Sequence, residues 1–262
     1  MEVIFQWVGG ATFILSIGDL KIAVDPVLCK KGTVQDYFWF KSKRIESPIY
    51  AENDFENIDL WLITHNHEDH LDNIGLSKIS NSSRIICNSN SSKLLQKGRI
   101  SNFTILRWNK TTEFNTKGYK IKIEAIPAIH GINPLSALLA GKVNGYYLTI
   151  IKGNERISIY ITGDTVYKSK IIKVLESKQI DVLIPNMGAA KQGSWIMTLT
   201  LNSDMLKKII KKLNPEIVIP VHYGTFEHYK EPIKKIKEIN DERIKVVGVG
   251  SITSFKTKNL HK

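Results

Sequence analysis

The chain has 262 residues, 42% of them hydrophobic and 24% charged, with a formal net charge of +12 and two cysteines. That length is ample for a sizeable core, and the composition is that of a globular chain, which excludes disordered, collagen-like and disulfide-scaffold classes. No apolar run approaches the roughly 18 residues that a membrane-spanning helix needs. Cys29 and Cys87 are expected as reduced thiols. Met1-Glu2-Val3-Ile4-Phe5 enters a strand-like pattern at once, without the basic and apolar regions of an export signal, so cytoplasmic residence is expected. The positive charge fits an anionic small-molecule substrate. Because the lysines are spread along the chain and no basic cluster is interleaved with aromatics, specific nucleic-acid binding is not expected.

Residues 3–25 read as strands. Ala11–Ile17 and Leu20–Val24 flank a tight turn at Gly18-Asp19, and Asp25-Pro26 ends the second run. Residues 27–58 read as irregular and carry the aromatic cluster Tyr37-Phe38-Trp39-Phe40, which suits a lid, a binding edge or a subunit contact in a homo-oligomer. Leu60-Trp61-Leu62-Ile63 is a buried strand. Helices are predicted over 71–79 and 91–96, with a short strand at Arg84–Cys87 between them. Tyr119 to Ala125 alternates apolar and charged residues, as a half-buried strand does, and runs into His130. Residues 132–145 read as a flexible loop with a helical turn. Tyr146–Ile151 and Arg156–Ile161 form a hairpin that ends at Asp164.

Helix 168–177 and a strand at Asp181–Pro185 follow. A loop carrying Lys191 and Trp195 leads to a helix capped by Asn202 or Ser203. In that helix Leu206, Ile209, Ile210 and Leu213 take one face, and Lys207, Lys208, Lys211 and Lys212 the other. Glu216–Val221 is a buried strand that ends at His222, helix 232–239 opens with Pro232, and Lys245–Val249 and Ile252–Phe255 are strand-like. Strands thus come in two sets with helices appended to each, which predicts two packed sheets with outer helices, and no linker divides residues 1–262 into separate units.

The stretch Thr64-His65-Asn66-His67-Glu68-Asp69-His70-Leu71-Asp72 follows the Leu60–Ile63 strand. Imidazoles and carboxylates at this density, at a strand end, suit zinc, iron or manganese. His130, Asp164, His222 and, less directly, Asp25 also lie just after predicted strands, so they can converge on one edge of a sandwich. The pattern His-x-His-x-Asp-His resembles the signature of the metallo-β-lactamase superfamily of hydrolases. The opening hairpin that ends in Asp-Pro, and Val221-His222-Tyr223-Gly224-Thr225-Phe226, resemble the branch that contains ascorbate-6-phosphate lactonase-like and N-acylphosphatidylethanolamine phospholipase D-like proteins.

The resemblance implies an α/β fold, a four-layer αββα sandwich of two mixed sheets flanked by helices, as a single domain over 1–262. It also implies a ligand set. His65, His67 and His130 would bind one divalent metal, Asp69, His70 and His222 a second, and Asp164 would bridge both. Zinc suits these donors best, with manganese and iron as alternatives. Two such metals, about 3.5–4 Å apart, share a water whose coordination yields a hydroxide near neutral pH. The implied activity is hydrolysis of an ester-type bond, a lactone or a phosphodiester, with Asp69 and His70 as catalytic residues. A tRNA-processing type of nuclease and a non-catalytic metal-binding protein are the alternatives. Asp72 reads either as an anchor for a ligand histidine or as a helix N-terminal acid. Tyr223 and His228 are the nearest candidates for protonating a leaving group, and His228 reads as a surface residue. Trp39, Lys191, Trp195 and Tyr223 are the expected substrate contacts.

Overall fold

The computed structural model describes residues 1–37, 40–191 and 198–257. Its first sheet is built from β1 (Glu2–Gly9), β2 (Thr12–Ile17), β3 (Leu20–Val24), β6 (Leu60–Ile63), β7 (Arg84–Cys87), β8 (Phe103–Ile105) and β15 (Ile252–Lys256), in the order β15-β1-β2-β3-β6-β7-β8. The β2–β3 turn runs through Gly18 at φ +57, a left-handed backbone that glycine takes without steric cost. From β3 onward the strands run parallel. Parallel neighbours need crossovers, and α1 (Asn73–Lys78) and α2 (Ser91–Lys97) lie in two of them.

The second sheet comprises β9 (Thr111–Thr116), β10 (Tyr119–Ala128), β11 (Val143–Lys152), β12 (Glu155–Ile161), β13 (Val182–Ile184) and β14 (Ile217–Val218), in the order β14-β13-β12-β11-β10-β9. β10 and β12 are each antiparallel to β11, and β12, β13 and β14 are parallel. Hence β10, β12, β13 and β14 all finish at the same edge. The crossovers of this sheet carry α4 (Ser169–Leu175) and α5 (Ser203–Leu213).

Period-two alternation decides the layering. In β6, Leu60 and Leu62 join the central core between the sheets, together with Ile121, Ile123, Leu148 and Ile159 of the second sheet. Trp61 and Ile63 face the other way, into a cluster with Leu95 of α2. On the far side, Leu206, Ile209, Ile210 and Leu213 of α5 bury against the central core, and the four lysines of its other face are exposed, as the helical spacing predicts. Each such buried aliphatic side chain contributes about 1.5–3 kcal/mol over leaving it in water. The result is the helix–sheet–sheet–helix sandwich expected from the sequence.

The chain departs from expectation in several places. The irregular reading of 27–58 gives way to a hairpin of β4 (Val34–Asp36) and β5 (Lys41–Lys43), whose outer edge is tied to the C-terminal part of the chain by an Arg44–Phe226 bridge. Residues 134–140 form a helix, α3 (Pro134–Ala140), because Asn133 caps Ser136 N and Pro134 starts the first turn. The strand expected over 216–221 is formally two residues long: Ile219 N and Val221 N still donate to Leu183 O and Pro185 O, but Pro185 has no N–H to return a bond to Ile219. Lys245–Val249 is not a strand. Val246, Val247 and Val249 are held by packing against the central core instead. The last helix, α6 (Ile233–Lys237), is shorter than predicted. Among the described residues no helix is long and apolar enough to cross a membrane.

Candidate metal centre

The turn after β6 is held by one buried acid. Asp25, at the end of β3, accepts from Thr64 N at 2.7 Å and Thr64 Oγ1 at 2.6 Å, and from His70 Nδ1 at 2.7 Å. Burial pushes the Asp25 carboxyl up, and the neighbouring His70 opposes that shift. Asp25 has φ +42 and His222, at the matching edge of the other sheet, φ +63. Left-handed backbone at a non-glycine residue costs of order 1–3 kcal/mol and gathers at functional sites.

Hydrogen bonds set the tautomers of the histidines. His70 Nδ1 donates to Asp25, His130 Nδ1 to Leu199 O at 2.9 Å, and His222 Nδ1 to Met187 O at 3.2 Å. His65 Nδ1 donates to Thr64 Oγ1 at 2.9 Å, because the hydroxyl's own proton goes to Asp25. Each of these imidazoles therefore turns Nε2 toward the sheet edge. His65 Nε2 lies 3.1 Å from His67 Nδ1, which lies 3.3 Å from His130 Nε2. His70 Nε2 and His222 Nε2 are 3.1 Å apart.

Asp164 stands between the two groups. Its Oδ1 is 3.2 Å from His70 Nε2 and 3.5 Å from His222 Nε2, and its Oδ2 is 3.6 Å from His130 Nε2 and 4.0 Å from His65 Nε2. Asn186 Nδ2 donates to Oδ1 at 2.9 Å and fixes the carboxylate's rotation. Gly163, at φ +58, allows the approach: a Cβ there would sit 2.6 Å from Asn144 O.

Two groups of donor atoms result, His65–His67–His130 and Asp69–His70–Asp164–His222, each with its atoms within 4.8 Å of one another. Their chemistry fits divalent cations. In the His65–His67–His130 group, ring nitrogens face one another at hydrogen-bond distance while His65 and His130 already donate through Nδ1, so few protons are present to separate them. Asp69 Oδ1 is buried without a hydrogen-bond partner among the described residues. Burial, then the nearby His130, pushes His67 down to about 3, and burial likewise lowers His65 and His130, so all three are neutral donors. Burial opposes charge on His70 too, but the Asp164, Asp25 and Asp69 carboxylates outweigh it and hold His70 well above the usual imidazole range. For Asp69 and Asp164, burial is outweighed by the histidines around them, which keeps both carboxyls ionised.

The profile of the Beta-lactamase superfamily domain matches residues 4–222. The chain belongs to this superfamily. It is 26% identical over 253 residues to N-acyl-phosphatidylethanolamine-hydrolyzing phospholipase D 1 of Caenorhabditis elegans, covering 90% of this chain and 69% of that protein. It is 25% identical over 249 residues to a UPF0173 metal-dependent hydrolase of Pyrococcus furiosus, covering 92% and 93%. In fold it is similar to isothiocyanate hydrolase from Delia radicum gut bacteria, with a TM-score of 0.78 at 20% identity over 98% of this chain and 100% of that one. The structure of a possible metal-dependent hydrolase from Veillonella parvula gives 0.81 at 20% identity, over 97% and 99%. The chain is thus a metal-dependent hydrolase on the metallo-β-lactamase fold.

In this hydrolase a cavity opens over His67, Asp69, His130 and Asp164, with Tyr37, Phe40, Leu139 and Leu199 in its walls. Several expected contacts lie elsewhere. Tyr223 packs on Trp7 and donates to Val247 O at 2.6 Å, so it serves the core. Lys191 borders a separate surface depression with Lys207 and Lys230. Trp39 and Trp195 lie outside the described residues. Asp72 is not an anchor for a ligand histidine: it caps α1 through Gly75 N and holds Leu28 N and Cys29 N.

His228, expected at the surface, is buried and lines the cavity of the hydrolase. Its Nε2 donates to Asp69 Oδ2 at 3.1 Å and its Nδ1 accepts from Ser42 Oγ at 2.6 Å. Tyr229, which the sequence reading passed over, reaches Asp69 Oδ2 at 3.0 Å and His222 Nε2 at 2.7 Å. A faint signal existed, a second His-Tyr pair six residues after His222-Tyr223. Ser42 carried none.

Proposed function

We propose that this hydrolase cleaves a phosphodiester in a small-molecule substrate that carries an apolar group, with a lactone as the alternative ester-type bond. The observation that carries the proposal is Asp164, whose two oxygens face two separate donor groups on the floor of an apolar-walled cavity. His65, His67 and His130 would hold one ion and Asp69, His70 and His222 the other, with Asp164 shared. Zinc is the ion proposed for this nitrogen–oxygen donor set, ahead of manganese and iron. Bound there, the metals would supply an activated water near neutral pH and an electrophile for the scissile group's oxygen.

The chain's own groups do the rest. Asp69 Oδ1, without a hydrogen-bond donor among the described residues, is available to orient the attacking water. The aromatic and aliphatic walls exclude bulk water and seat the apolar group. Among the described residues no lysine or arginine lines the cavity, so the reading favours one negative charge at the bond over a polyanion. The phosphodiester is placed first because a curated relative is named for hydrolysing a phospholipid. Both sheets and α5 share one core, which supports reading residues 1–262 as a single domain. Buried free thiols at Cys29 and Cys87 fit a reducing compartment such as the cytoplasm.

The test is a parallel assay of metal-loaded protein on a chromogenic phosphodiester and a chromogenic lactone, with Asp69→Ala as control. Phosphodiester turnover that the control abolishes supports the reading. Lactone turnover alone selects the other bond, and neither turnover defeats both.

A further inference from the structure

We infer that His228 and Tyr229, with Ser42 behind them, form a clamp on Asp69 Oδ2 that aims this carboxylate at the second metal position. The inference rests on the metal-centre reading above. Three features of the structure carry it.

The donor load on Asp69 is one-sided. Oδ2 accepts from His228 Nε2 at 3.1 Å and from Tyr229 Oη at 3.0 Å, and Oδ1 is buried without a hydrogen-bond partner among the described residues. An ionised carboxylate accepts at both oxygens. Fixing two donors on one oxygen sets the rotation of the group and leaves the other oxygen for a non-protein partner.

The donors are themselves held. The Asp69 carboxylate takes the proton of His228 Nε2, which leaves Nδ1 to accept from Ser42 Oγ at 2.6 Å, and this contact holds the ring in place. Ser42 is brought there because Ile45 N donates to Thr225 O at 2.8 Å and Glu227 N to Lys43 O at 3.0 Å, pinning β5 to the loop after His222. Phe40 and Phe226 pack on the His228 ring. The separation of 186 residues between Ser42 and His228 is therefore closed by backbone pairing, not by chance side-chain contact.

The Tyr229 hydroxyl has two acceptors and one proton. It lies 2.7 Å from His222 Nε2 and 3.0 Å from Asp69 Oδ2. With a cation held at the second site, His222 Nε2 would no longer accept, and the phenol proton would go wholly to Asp69. Filling that site would thus strengthen the clamp on its own ligand. Both residues act through Asp69, and they are positioning residues.

The experiment is equilibrium dialysis of zinc against metal-free wild type, Ser42→Ala, His228→Ala, His228→Gln and Tyr229→Phe, with far-UV circular dichroism on each. Wild type is expected to take up two zinc ions. Tyr229→Phe and His228→Ala should keep the first with near wild-type affinity and bind the second about 10–100-fold more weakly, the usual cost of losing an outer partner of a metal ligand. His228→Gln, whose amide N–H can still reach Asp69, should recover much of that loss, and Ser42→Ala should fall between. Tyr229→Phe keeps the ring packing, so it decides the matter should His228→Ala fail to fold. Unchanged affinity for the second zinc in Tyr229→Phe would overturn the inference. So would equal weakening of both ions, which packing damage would produce. Wild type that binds no zinc would defeat the metal-centre reading itself.

Discussion

Asp25 Oδ2 lies 2.7 Å from His70 Nδ1, yet Asp25 belongs to neither group of donor atoms that could hold a metal ion. It holds the imidazole from behind and so keeps the Nε2 lone pair facing the second site. Asp25→Asn retains an acceptor for Thr64 N but presents an N–H where Thr64 Oγ1 and His70 Nδ1 need an acceptor. The imidazole then loses its fixed tautomer. Zinc affinity at the second site should fall about 10–100-fold, read by competition with a chromogenic chelator. Affinity equal to wild type would show that the contact is structural only.

Gly163 precedes the shared carboxylate and sits at φ +58, with the Asn144 carbonyl 2.6 Å from where a Cβ would go. Gly163→Ala cannot relieve that overlap without moving the Asp164 turn. We expect a loss of roughly 1–3 kcal/mol in urea denaturation, with weaker metal uptake. A variant as stable as wild type would contradict the close approach.

The two thiols should be inert in the folded chain. Burial pushes Cys87 up to about 12, and burial raises Cys29 as well, against the opposing Arg44 guanidinium. At pH 8 a thiol with a pKa near 12 is thiolate in only about one molecule in ten thousand. Labelling by a disulfide reagent should therefore be slow in native protein, should quicken as pH rises toward that value, and should become complete within minutes in urea. Rapid native labelling of both cysteines would contradict their placement.

Much of this site was legible because its parts have local signatures. His65, His67, Asp69 and His70 fall within six residues behind an apolar strand, and His130, Asp164 and His222 each follow a recognisable run. Strand ends that share an edge need no knowledge of register to be grouped. The sandwich was legible for a similar reason: period-two and 3.6-residue patterns survive in β10 and α5.

What stayed hidden depends on contacts made late in the chain's path. Ser42 meets His228 only through the pairing of β5 with residues 225–227, which no local pattern announces. His228 looked solvated because its neighbours Glu227 and Lys230 are charged, yet those side chains are exposed and its own is not. Tyr223 and Tyr229 each follow a histidine, and the residue types do not separate their roles. Tyr223 packs on Trp7 in the core and Tyr229 reaches Asp69.

The central claim is a centre for two metals that share Asp164. The most direct measurement is zinc content per chain by plasma emission spectrometry after reconstitution and desalting, for wild type and Asp164→Ala side by side. The account predicts about two zinc ions per chain in wild type, and a marked loss from both sites in the variant, because each proposed site would draw on the same carboxylate. Wild type that holds no zinc, or a variant that still holds two, would contradict it.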